Sequence, residues 1–125
     1  MRTIGVGLAM LLVSIGAALA AAPAKTTQGP SGKIWTNQKG MALYTFDKDT
    51  AGKSNCDKQC AASWHPLKAG RSAKASGEWT VVSRTDGTKM WAFEGKPLYT
   101  FTGDKKAGQV NGDGMGGVWH VLKAQ

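Results

Sequence analysis

The chain has 125 residues, a formal net charge of +8, two cysteines and ten aromatic residues, five of them tryptophan. That length suits one domain after any leader. The lysines are scattered, with no block longer than Lys105-Lys106, which argues for a solvated surface and loose attraction to anionic envelope polymers, lipid headgroups or an acidic protein. With no arginine-rich face, nucleic acid is excluded as an expected partner.

Residues 1–20 read as a secretory signal peptide: Arg2, an apolar run from Ile4 to Ala20, and the small-residue site Ala18-Leu19-Ala20. Cleavage is expected after Ala20, and no later apolar run is long enough to span a membrane. The mature protein is therefore expected to be periplasmic or secreted. Residues 21–31 lack periodicity and read as a flexible leader. Residues 32–125 form the expected single domain.

That domain is one pattern written twice. Residues 32–69 and 87–124 match at a fixed offset of 55, without a gap. Leu43-Tyr44-Thr45-Phe46 and Asp49 recur as Leu98-Tyr99-Thr100-Phe101 and Asp104. Trp64-His65 recurs as Trp119-His120. Such duplication implies two copies of one structural unit.

In the first copy, runs over 33–36 and 41–46 face each other across a four-residue turn ending in Gly40, a hairpin. The loop over 50–63 holds the one helical candidate, near 57–63, and a short strand over 64–67 closes the copy. Residues 70–86 hold the linker and an extra strand over 78–83. The second copy repeats the plan with strands over 89–93, 97–101 and 118–122. Pro97 cannot donate to a ladder, so it belongs at a strand start or edge. The expected fold is all-β, with about seven short strands in one compact domain of two pseudo-symmetric repeats.

Tyr44 and Phe46 point to one face of their strand, as do Tyr99 and Phe101. With Trp64 and Trp119 they read as the repeated structural frame. Asp49 and Asp104 read as caps of the following loop, since Asp bonds nearby backbone N–H groups in turns. A catalytic reading of either lacks the paired carboxylate that acid–base work needs.

These residues resemble the secreted or lipoprotein repeat family with a Tyr-x-(Phe/Trp/Tyr)-x-x-Asp motif, in two copies covering nearly all of 32–124. The resemblance also takes in the Cys56–Cys60 pair, Trp-x-Pro-Leu at 64–67, and Gly95-x-Pro97-Leu98. It implies a secreted repeat of unknown function and carries no catalytic residues. Many members are lipid-anchored, but no cysteine stands near the cleavage site here.

Cys56 and Cys60 make an even count in an exported chain, which argues for a disulfide. At the 55-residue offset they fall opposite Asn111 and Met115, so one long loop is stapled and its twin is glycine-rich. A dedicated site is expected in those two loops. The competing reading makes Cys56 and Cys60 a redox or metal pair with His65 and His120, and Met41, Met90 and Met115 would add soft donors for copper or zinc. The leading reading is a non-enzymatic binding or interaction protein without a cofactor, its partner an anionic envelope component or another periplasmic protein. An envelope-directed hydrolase acting through Asp49 or Asp104 ranks last. Oligomeric state is not encoded in any of these features.

Overall fold

A computed structural model describes residues 23–124. The expected signal peptide lies outside the described residues. Among the described residues, nine short strands form three small antiparallel sheets, joined by one five-residue helix and one 3₁₀ turn. The expected all-β fold of two repeats is what forms.

Residues 21 and 22 of the expected flexible leader lie outside the described residues, and the first sheet corrects that reading for the rest. Strand β1 (Lys25–Gly29) pairs with β2 (Gly32–Thr36) across a two-residue turn, in a register running from Lys25 opposite Thr36 to Gly29 opposite Gly32. Pro30 presets its φ for the turn, and Gly32 takes a positive φ of 129° that other residues resist. The strand escaped notice because its first four residues, Lys25 to Gln28, are all exposed and show no period-2 apolar pattern. Its counterpart is β5 (Trp79–Ser83), so the strand over 78–83 is not an extra: it opens the second repeat as β1 opens the first.

β5, β6 (Lys89–Phe93) and β7 (Lys96–Pro97) form a three-stranded sheet with Pro97 in its edge strand. The expected hairpin of 33–36 with 41–46 reduces to one bridge, Thr36 opposite Ala42. Asn37 Oδ1 there accepts the backbone N–H groups of Lys39 and Met41, which tightens the turn. The chain then runs into β3 (Tyr44–Phe46), which pairs elsewhere.

Its partners lie in a four-stranded sheet ordered β4-β8-β3-β9, with β4 at Trp64–Pro66, β8 at Tyr99–Phe101 and β9 at Trp119–Val121. The two Leu-Tyr-Thr-Phe strands lie in the middle with Tyr44 opposite Tyr99. Each repeat's closing strand crosses to the other repeat. β4 pairs with β8, placing Trp64 opposite Phe101, and β9 pairs with β3, placing Trp119 opposite Phe46. The crossing continues beyond the strands. Leu122 N–H donates to the Leu43 carbonyl at 2.7 Å and Trp35 N–H to the Leu122 carbonyl at 2.9 Å. Leu67 N–H to Leu98 (2.9 Å) and Trp91 N–H to Leu67 (2.8 Å) repeat this on the other side. Neither repeat completes its own sheet, so the two share one core.

One face of the sheet carries a ladder of rings. Trp64 and Trp119 stack at 3.7 Å with planes 2° apart, and Phe101 and Phe46 continue the stack outward at 4.3 and 4.2 Å. Tyr44 and Tyr99 meet the two indoles edge-on, each at 5.2 Å. The pseudo-two-fold axis passes between the tryptophans. On the opposite face Leu43 and Leu98, both fully buried, pack with Trp79, Leu67 and Leu122.

The hydrogen bonds also correct the gapless offset of 55. It holds for the paired strands, but Trp35 and Trp91 make equivalent backbone bonds at an offset of 56. Asn55 and Asn111 do the same: each backbone N–H donates to the preceding Asp and each side-chain amide to a loop carbonyl. Cys56 therefore matches Gly112, not Asn111. A Cβ on Gly112 would sit 2.5 Å from the Trp64 ring and 3.0 Å from Phe101. Gly112→Ala is expected to cost about 1–3 kcal/mol by overpacking the ladder, read from the shift of a urea unfolding curve.

Candidate functional site

Both motif aspartates serve tyrosines of the opposite repeat. Tyr44 O–H donates to Asp104 Oδ2 and Tyr99 O–H to Asp49 Oδ2, each at 2.7 Å. The second oxygens accept the N–H groups of Asn111 (2.8 Å) and Asn55 (2.6 Å). The carboxylates thus tie each long loop to the other repeat's central strand. Burial holds the Asp49 carboxyl above the ordinary range, although the Asn55 and Tyr99 hydrogen bonds and the Arg84 guanidinium act against it. Asp49 and Asp104 serve different tyrosines and form no proton-sharing pair.

Burial also pushes both phenols well above their ordinary value of 10.0, with the carboxylate each one faces adding to the rise. These are the chain's only two tyrosines. Between pH 10 and the folded values, the folded state keeps two protons that the unfolded chain has released. Stability is therefore full below pH 10 and falls above it, by up to about 2.7 kcal/mol per pH unit. Absorbance at 295 nm should show no tyrosinate until far-UV circular dichroism reports unfolding. Separate ionisation of either phenol in the folded protein would contradict the buried pairs.

The first loop is held more heavily than the second. Cys56 and Cys60 are joined in a disulfide, with the helix α1 (Gln59–Ser63) beginning between them. Ser54 Oγ meets the Tyr99 hydroxyl, and Arg84 donates to Ser54 Oγ and to the Cys56 carbonyl, each at 2.9 Å. The second loop has a 3₁₀ turn (Met115–Gly117) in place of the helix, and its Asp113 accepts the Val121 N–H. Replacing both cysteines by serine removes a very short cross-link and is expected to cost about 2 kcal/mol, measured by thermal unfolding.

The metal-ligating candidates are not brought together. His65 and His120 lie exposed on β4 and β9, the two outermost strands of the sheet. Two strands, β8 and β3, lie between theirs. His120 Nε2 lies 2.8 Å from Asp47 Oδ2, whereas the position matching Asp47 beside His65 is Thr102. Met90 is fully buried beneath Arg84, Met115 is exposed in the second loop, and Met41 follows the 37–40 turn. Among the described residues, no three His, Cys, Asp or Glu side chains gather as a metal site.

Several concavities open on the surface of the described residues. A cavity of about 270 Å³ lies between residues 45–51 and 94–97, where Asp47, Asp49 and Glu94 line it with Lys96. Two larger ones, about 570 Å³ each, adjoin at Lys68. One is bordered by Arg71 and Lys89, the other by Lys39 and the half-buried Trp91. Sequence reasoning missed Lys39, Lys68, Arg71, Lys89 and Trp91. The lysines are scattered in the sequence, and their proximity exists only after the closing segments cross.

A family model described as a secreted repeat of unknown function matches residues 25–68 and 80–123, and the chain belongs to that family. The two matched segments begin at β1 and β5, as the hydrogen-bonded repeats do. No curated protein and no solved structure matches the chain. No helix among the described residues is long and apolar enough to cross a membrane.

Proposed function

We propose that this member of a secreted repeat family is an exported, non-enzymatic binding protein that engages an anionic polymer of the cell envelope, in the periplasm or outside the cell. The observation that carries the reading is the pair of adjoining grooves. They share Lys68, and Lys39, Arg71 and Lys89 line one or the other of them in a chain with net charge +8. Cations along an elongated depression raise the local concentration of a polyanion and hold it at several points. The motif carboxylates and phenols, the strongest candidates for chemistry, are occupied in hydrogen bonds that join the two repeats.

Isothermal titration with polygalacturonate and with polyphosphate, each at low and high salt, tests this. Both polymers should bind at low salt and weaken as salt screens the charges. Lys68→Glu should weaken both several-fold, because Lys68 borders both grooves. Failure of both polymers to bind at low salt would overturn the reading.

A further inference from the structure

The two repeats act as controls for one another, and they differ most at their equivalent tryptophans. Trp35 and Trp91 make matching backbone hydrogen bonds and both are half-buried, yet only Trp35 is packed by other rings. Trp79 meets it edge-on at 5.1 Å and Phe93 lies 5.7 Å away, the two covering rings packing at 4.8 Å. The strand registers identify what stands at the same places beside Trp91. Lys25 opposite Thr36 corresponds to Thr80 opposite Ala92. Stepping one residue outward, Trp79 and Phe93 correspond to Ala24 and Asn37. Two rings are thus replaced by a methyl group and an amide, and among the described residues no ring packs on Trp91. The groove of about 570 Å³ opens there, lined by Trp91 and Asn37.

Charge changes with shape. At the tip of the adjoining turn, just before the matching glycines Gly40 and Gly95, the covered side carries Glu94 and the open side carries Lys39. Lys68 stands at the other border of the groove. The groove is therefore lined by an indole, large enough for a ring, and flanked by cations. Its volume lies within the range of small-molecule sites.

We infer that the Trp91 groove is a subsite for one acidic sugar ring of the anionic polymer, the ring's apolar face on the indole and its carboxylate toward Lys39 and Lys68. This rests on the binding function proposed above and narrows it. An aromatic floor rewards apolar area that a bare polyanion lacks. The continuation past Lys68 toward Arg71 and Lys89 suits a chain-shaped ligand more than an isolated small molecule.

The test compares oligogalacturonate, which has ring and charge, with polyphosphate, which has charge alone. Trp91→Ala is measured beside Ala24→Trp, which keeps Trp91 and the Asn37 turn and rebuilds one of the two rings present over Trp35. Both variants should weaken oligogalacturonate binding by roughly tenfold and leave polyphosphate within about twofold. Equal losses for the two polymers, or no loss in Ala24→Trp while the unaltered protein binds both, would overturn the subsite and leave the charge-based reading standing. If the unaltered protein binds neither polymer, both readings fall.

Discussion

Replacing Trp64 by alanine should remove about 3–5 kcal/mol of stability, the loss expected for a large buried aromatic. Trp64 is 6% exposed and sits at the centre of the ring ladder, against Trp119 at 3.7 Å, Phe101 at 4.3 Å and the edge of Tyr44 at 5.2 Å. Aromatic contacts of this kind add about 0.5–1.5 kcal/mol beyond the area they bury. For a domain of this size the loss corresponds to a fall in Tm of roughly 15–25 °C. The pseudo-two-fold axis supplies an internal control. Trp119→Ala should cost nearly as much, because Trp119 has the same neighbours in mirrored roles: Trp64, Phe46 and Tyr99. The two losses should not add, since the rings touch and each truncation already removes their mutual contact. Urea unfolding of both single variants and the double variant measures all three values. A loss below about 1 kcal/mol for either tryptophan would mean that the ladder is not the core.

Much of the frame was legible in the sequence. The repeated Tyr-x-Phe spacing placed four rings on one side of two strands, Pro97 marked an edge, and the cysteine count indicated the disulfide that forms. Other features were hidden for identifiable reasons. β1 carries polar side chains on both faces, so no alternation marks it, and its Gly-Pro-Ser turn has the composition of a linker. The exchange of closing strands was invisible because the two copies share the same strand sequence. Pairing within a copy or across copies then satisfies the same local pattern, and only the path of the loops decides between them. The Tyr44–Asp104 and Tyr99–Asp49 bonds follow from that exchange, and so they were hidden with it. The long loops were expected to hold any dedicated site. A further difference between the repeats lies at Ala24 and Asn37, small and polar residues where the other repeat has Trp79 and Phe93. A missing ring leaves no mark in a single copy; it shows only when the structure sets the copies in register.

The exchanged strands are the central claim, and they predict the behaviour of separated halves. A cut between Lys74 and Ala75 falls in the exposed linker and puts the described residues 23–74 in one half and 75–124 in the other. The first half alone would keep β1 to β4 but lose β8 and β9, the partners of β4 and β3. It would lose the Asp104 carboxylate that accepts from Tyr44, and Trp119 from the ring stack. A piece of roughly fifty residues that loses its core partners lies near the limit at which a domain folds unaided. The direct measurement is near-UV circular dichroism with sedimentation of each half alone and of the equimolar mixture. Neither half should be a folded monomer, and the mixture should recover the intact protein's aromatic signal as a one-to-one complex. Either half folding alone as a monomer, with its closing strand on its own Tyr-x-Phe strand, would contradict the exchange.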